Sequence, residues 1–183
     1  MAIPVTPGLV QAARNGAAVD IEALVATVWP DAYRLARAIL GDDQRAEDAA
    51  QEACIILSRT ITSLRSAEAF KVWFYRIVVR EASELKRRSS RTEPVSAFHE
   101  AEDKTSSIDV WRALAALPQH LRDVVVLRYF EDLSSREIAS VLRIPDGTVR
   151  FRLMTARRRL RPLLGENTEH FTETTGEAQI HAV

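Results

Sequence analysis

Residues Ser134 to Arg161 read SSREIASVLRIPDGTVRFRLMTARRRLR. Ser134 with Glu137 three positions later is a capping-box pattern, and Ile138, Ala139 and Leu142 follow it at helical spacing. A turn over Arg143 to Pro145 leads to Asp146, which the sequence offers as a second N-cap. Two short helices joined by a tight turn, the second rich in arginine, have the sequence form of a helix-turn-helix. Projected at about 100° per residue, Val149, Leu153, Ala156 and Leu160 align as an apolar stripe. Opposite it lie Arg150, Phe151, Met154 and Thr155, flanked by Arg157, Arg158 and Arg161. Donor-rich and apolar groups on the exposed start of a helix suit base edges in a major groove, and neighbouring arginines suit phosphates. A solvated arginine face on a C-terminal helix is the competing reading of the same charges.

A second basic block lies upstream. Lys71, Arg76, Arg80, Lys86, Arg87, Arg88 and Arg91 face only Glu81 and Glu84. Acidic residues collect at Asp20 to Glu52, at Glu93 to Asp109 and in the final segment, so a formal net charge of zero hides two basic modules. Two basic modules with acidic intervals suggest a partner touched twice.

Apolar periodicity predicts helices throughout. Ile21, Leu24, Val25, Val28, Leu35, Ala36 and Ile39 mark a first helix that Pro30 kinks or divides, stopped by Gly41 and followed by a new cap at Asp42 or Asp43. A second helix over about Gln44 to Leu64 buries Ala46, Ala49, Ala50, Ala53, Leu57, Ile61 and Leu64. A third, over about Ala67 to Arg88, places Phe70, Phe74, Ile77, Val78 and Leu85 on one side. From Ser89 to Ser107 the period is lost among Ser, Thr, Glu and Pro94, the composition of a linker. Helices over Ile108 to Leu117 and Gln119 to Phe130, divided by Pro118, precede the helix-turn-helix. The expected fold is all-α: two small helical domains joined by a flexible linker, the second containing the helix-turn-helix. The expected boundaries are 17–91 for the first domain, 92–107 for the linker, 108–165 for the second domain and 166–183 for a disordered acidic tail.

Other classes are disfavoured by what the sequence contains. An apolar run such as Val124 to Leu127 is far too short for a membrane span, and Met1 to Val10 has no basic residue ahead of an apolar stretch, so a cytoplasmic protein without membrane insertion is expected. Cys54 is the sole cysteine and reads as a buried, inert thiol. His99, His120, His170 and His181 are too scattered for a metal site, and no nucleophile or acid–base constellation suggests an enzyme or a cofactor.

The stretch LPQHLRDVVVLRYFEDLSSREIASVLRIPDGTVRFRLMTARRRLRPLL, Leu117 to Leu164, resembles the minus-35-reading domain of extracytoplasmic-function sigma factors of bacterial RNA polymerase. In that family a run I-P-x-G-T-V-R opens the recognition helix, matched here by Ile144, Pro145, Gly147, Thr148, Val149 and Arg150. YRLARAILGDDQRAEDAAQEACIILSRTITSLRSAEAFKVWFYRI, Tyr33 to Ile77, is similar to the same family's core-binding and minus-10 domain, with its A-E-D-x-x-Q-E helix and its later W-x-Y-R-I run. The resemblance covers about Leu24 to Arg91 and Asp109 to Leu164, both parts in the expected order.

The resemblance implies a sigma factor that binds core RNA polymerase and directs initiation at minus-35 and minus-10 promoter DNA, with an inhibitory anti-sigma factor as a further partner. It assigns the polar stripe Glu47, Asp48, Gln51 and Glu52 to the polymerase clamp helices; a plain solvated face is the other reading. Arg150, Phe151, Met154, Thr155, Arg157 and Arg158 are the candidates for minus-35 DNA. The loop from Ser63 through Leu64, Arg65 and Ser66 to about Glu68 is implied to accept a base flipped from the minus-10 non-template strand. Arg76, Arg80, Ser83 and Arg87 form a stripe beside it that would line a cationic groove for melted DNA, and Trp73 is either a stacking platform or a core residue. Arg80 and Glu84 stand where the family often has asparagine and aspartate, and Arg143 where many such turns have glycine. Phe151, Met154 and Thr155 also depart from commoner choices. An autonomous helix-turn-helix regulator that dimerises on an operator and senses a ligand is the rival from another functional class.

Overall fold

The computed structural model describes residues 5–89 and 105–164, and among these every regular element is helical. Eight α-helices are present: α1 Pro7–Arg14, α2 Ala18–Leu40, α3 Asp43–Thr60, α4 Phe70–Ser89, α5 Thr105–Ala116, α6 Gln119–Tyr129, α7 Ser135–Leu142 and α8 Asp146–Leu164. The expected tail over 166–183 and most of the expected linker lie outside the described residues; its last residues, from Thr105, already belong to α5.

Local chemistry explains the boundaries. Gly41 adopts the left-handed conformation, φ 71°, and its N–H bonds to the Arg37 carbonyl at 2.7 Å, ending α2. Asp42 then caps α3 by accepting from the Arg45 N–H at 2.8 Å. Pro30 lies inside α2 without dividing it. The end of α3 departs from the periodicity reading. Helix α3 stops at Thr60, Ile61–Ser63 form a 3-10 turn, Leu64 is extended, and Ala67–Ala69 form another 3-10 turn before α4. The β-branched run Thr60, Ile61, Thr62 resists α-helix, and Ser63 donates to the Thr60 carbonyl at 2.7 Å in a competing local bond. Helix α1 is also additional to the sequence reading: Thr6 caps it, Pro7 occupies its first turn, and it buries Val10 and Ala13.

The N-terminal unit packs α2, α3 and α4 around Leu24, Val28, Leu35, Ile39, Leu57, Phe74 and Val78, all buried. Ala46, Ala49, Ala50 and Ala53 on α3 keep the neighbouring helix close because they carry no bulk beyond Cβ. In the C-terminal unit, α6 supplies Leu121, Val124, Val125 and Leu127 against buried residues of α5, α7 and α8. Arg122 is buried yet satisfied: its guanidinium donates to the carbonyls of Leu114, Ala115 and Leu117 at 2.8, 2.6 and 3.1 Å. Leu114 and Ala115 lie in the last turn of α5, whose carbonyls have no i+4 donor within the helix, and Leu117 lies just past its end.

The two units are packed against each other, a contact the sequence reading did not anticipate. One hydrophobic cluster runs from α2–α4 into Val124, Val126, Leu133, Ile138 and Val141. Across this boundary the buried Tyr75 hydroxyl donates to the buried Glu131 carboxylate, and Lys86 donates to Gln119. Arg76 donates to the Ser140 carbonyl and hydroxyl at 3.0 and 2.9 Å.

Candidate nucleic-acid and polymerase interfaces

Each part of the helix-turn-helix is held by an identifiable bond. Ser134 Oγ accepts from the Glu137 N–H at 3.3 Å while Glu137 Oε2 accepts from the Ser134 N–H at 2.8 Å, completing the capping box. Arg143 occupies the left-handed region, φ 54°, and the Ile144 N–H bonds to the Ala139 carbonyl at 3.1 Å, which turns the chain out of α7. Helix α8 then begins on the Pro145 carbonyl, which accepts from the N–H groups of Thr148 and Val149. Asp146 is therefore the first residue of α8 and not its cap, a correction to the expected role. Its carboxylate instead holds Arg150, one turn on, at 2.5 Å.

The helical projection of α8 is realised. Val149, Leu153, Ala156 and Leu160 are buried, while Phe151 and Met154 are 63% and 49% exposed. Two large apolar side chains therefore stand in water on the face that the sequence offers for base contacts, beside exposed Arg150. Arg150 and Arg158 are exposed and Thr155 is half-buried. Arg157 differs from its expected place among the flanking phosphate contacts: its Nε donates to the Tyr129 hydroxyl at 2.8 Å and its guanidinium lies 5.9 Å from the Tyr129 ring centre. It braces α8 against α6.

Glu47, Asp48, Gln51 and Glu52 are all exposed along one side of α3, with its alanines on the other. In the α3–α4 loop Ser63 and Arg65 are exposed and Ser66 is half-buried, but Leu64 is only 6% exposed and its side chain is turned into the core. Of the expected loop contacts, Leu64 can offer only backbone.

On α4, Trp73, Arg76, Arg80 and Ser83 share one wall of a cleft of about 660 Å³. The opposite wall is built from the C-terminal unit, including His120, Asp123, Arg143 and Arg152. Arg87 lies farther along α4, exposed and paired with Glu84 at 2.6 Å. Trp73 is half-buried, its ring 6.0 Å from that of Phe70, so it both joins the core edge and shows a face to the cleft. Asp123 is withdrawn from water, which pushes its carboxyl up to about 6 despite Lys86, Arg122 and Arg152 nearby. Burial likewise raises Glu131, and it raises the Cys54 thiol to about 11, which leaves that thiol protonated and unreactive.

Sequence reasoning missed the inward roles of Arg76, Arg122, Glu131 and Arg157. Only Arg122 carried a signal, a charge set inside the apolar run of α6.

This fold and this surface define a DNA-binding class: a helix-turn-helix unit paired with a second helical unit that carries its own basic face. Residues 24–92 match the family model described as Sigma-70 region 2, and residues 107–160 match Sigma-70, region 4. The chain is 34% identical to RNA polymerase sigma-H factor of Pseudomonas aeruginosa over 68% of its own length and 78% of that protein's. It is 31% identical to RNA polymerase sigma factor SigV of Bacillus subtilis, covering 72% and 82%. With the ECF RNA polymerase sigma factor SigM of Mycobacterium tuberculosis the identity is 34%, covering 73% and 71%. The fold is similar to that of CnrH solved with the cytosolic domain of CnrY, at TM-score 0.67 and 22% identity over 85% of this chain and 94% of that one. It is also similar to the sigma factor RpoE of Bartonella quintana solved with the anti-sigma factor NepR, at TM-score 0.70 and 24% identity over 81% and 98%. The chain belongs to the extracytoplasmic-function group of RNA polymerase sigma factors, whose role is promoter-specific transcription initiation with core RNA polymerase. The match to both regions in order sets aside the autonomous regulator. No helix among the described residues is long and apolar enough to cross a membrane.

Proposed function

We propose that the chain performs this role through three surfaces and carries out no chemistry of its own. Helix α8 reads minus-35 DNA with Arg150, Phe151, Met154 and Thr155, while Arg158 holds phosphate. The α3–α4 loop and the α4 face formed by Trp73, Arg76, Arg80, Ser83 and Arg87 take melted minus-10 DNA. Glu47, Asp48, Gln51 and Glu52 dock on core polymerase. The observation that carries this reading is the α8 face itself, where two large apolar side chains and an arginine stand in solvent opposite a fully buried stripe.

The α4 face forms a cleft wall beneath the C-terminal unit, so engaging melted DNA requires that unit to move off it. An anti-sigma protein is the proposed inhibitory partner; the similar RpoE was solved in complex with the anti-sigma factor NepR. The protein acts in the cytoplasm, where its polymerase is.

Reversing Asp48 and Glu52 to lysine tests the polymerase surface. Both are exposed, so the doubly reversed protein keeps its helical circular dichroism and loses most of its capture by core polymerase in a pull-down. Undiminished capture would remove the assignment.

A further inference from the structure

We infer that Arg14, on α1, is a positioning residue for the α3–α4 loop, holding its backbone so that the exposed loop side chains meet an unstacked base in one geometry. The inference rests on the assignment of that loop to melted minus-10 DNA. Arg14 Nε donates to the Leu64 carbonyl at 2.8 Å and Nη2 donates to the Arg65 carbonyl at 2.9 Å. Nη1 donates to Gln11 Oε1 at 2.6 Å, one turn back on the same helix. A single planar guanidinium thus ties two consecutive loop peptides to α1. Such a fork fixes direction as well as distance, which a lysine ammonium does not.

The surrounding structure is built to present this contact. Thr6 starts α1, and the buried Val10 and Ala13 seat it on the N-terminal unit. Gly16, left-handed at φ 88°, turns the chain out of α1, and a Cβ there would stand 3.6 Å from the Thr62 methyl, so the turn lies against the loop. On the loop, Leu64 is extended between two 3-10 turns, with its side chain inward and its carbonyl bound by Arg14. Above this anchored backbone Ser63 and Arg65 face outward, and the Ser66 hydroxyl donates to Glu68 at 2.5 Å. A loop with its peptides already held loses less freedom when a base docks, so the clamp contributes to affinity and to discrimination without touching DNA.

Holoenzyme assembled from the full chain and core polymerase tests this with a fluorescent single-stranded oligonucleotide carrying the minus-10 sequence upstream of a start site first mapped with that holoenzyme, and its single-base variants. Arg14→Ala is expected to weaken the preferred oligonucleotide on the order of tenfold, as expected for a lost charge-assisted bond. The variants should weaken less, so that base preference narrows. Arg14→Lys, which keeps the charge at the end of α1, should fold and restore only part of the preference. Core binding and minus-35 duplex binding should be unchanged in both. Full rescue by lysine, or equal weakening of every oligonucleotide, would show a simple cation and overturn the clamp. Unchanged preference in Arg14→Ala would overturn it too. Wild-type holoenzyme and Ser66→Ala separate the levels: if neither a base preference nor its dependence on Ser66 is seen, the loop assignment fails; if both are seen while Arg14→Ala is silent, only the clamp fails.

Discussion

Arg150 and Arg158 are both exposed arginines on α8, yet position gives them different work. Arg150 stands one turn from the helix start, aimed by Asp146 at 2.5 Å and flanked by exposed Phe151. Replacing it with alanine should cost about 1 to 3 kcal/mol at its preferred base and little at others. Arg158→Ala should weaken all sequences alike and lower the salt slope by about one unit. Titrations of a minus-35 duplex and its single-base variants at several salt concentrations distinguish them, and intact discrimination in Arg150→Ala would sink the readout. Asp123 offers a separate test of how the packed molecule treats a half-buried acid at the edge of the cleft. Its pKa of about 6 lies above the unfolded value near 4, so the folded state binds the proton more tightly between those limits. Stability contributed at this site falls as pH rises from about 4 to about 6 and stays low above. The groups facing it are Gln119 and Arg122 of α6, Lys86 of α4 and Arg152 of α8. Asp123→Asn keeps an oxygen for the Gln119 amide and removes the ionisation, so it should be more stable than wild type at pH 7, on the order of 2 kcal/mol. The difference should vanish toward pH 4 in urea melts. A variant less stable than wild type at pH 7 would show that the neighbouring cations outweigh burial.

The turn between α7 and α8 was legible in the sequence because its parts are chemical signals close together in the chain. Ser134 with Glu137 announces a start and Asp146 a second one, although Arg143, where many such turns have glycine, implies strain that weakens the motif. The structure shows the strain, φ 54° and ψ 46° on a residue with a Cβ. Arg143→Gly removes a penalty of about 1 to 2 kcal/mol and adds unfolded-state freedom worth about 0.4 to 1 kcal/mol. Chemical denaturation should therefore show a net gain of about 0.5 kcal/mol in the C-terminal unit, and a loss would mean that Arg143 makes contacts worth more than its backbone strain. Longer elements were legible for a similar reason: α2, α3 and α4 repeat their apolar stripe over several turns. Two features escaped. Helix α1 has only eight residues, too short for periodicity to stand out, although Thr6 and Pro7 supplied a cap signal. The change from α-helix to 3-10 after Thr60 leaves Ile61 and Leu64 buried, so apolar spacing alone could not see it.

At the scale of the whole molecule, the two units were legible and their contact was not. Each unit's core is built from stripes that recur within a helix, whereas Tyr75 and Glu131 meet across 56 positions and belong to no local pattern. The same holds for Arg76, whose place on a basic stripe gave no hint that Ser140 would receive it. The molecule is thus a closed form, with one of the two proposed DNA faces outward on α8 and the other lining a cleft on α4. Core polymerase and promoter DNA must together outweigh that packing for both faces to work at once. Run-off transcription of genomic DNA from the source bacterium, with core polymerase alone, with added wild-type chain and with Arg150→Ala, tests this most directly. The account predicts discrete start sites that share an upstream sequence, appear only with the wild-type chain, and are lost or redistributed with Arg150→Ala. Start sites indistinguishable from those of core polymerase alone would contradict it.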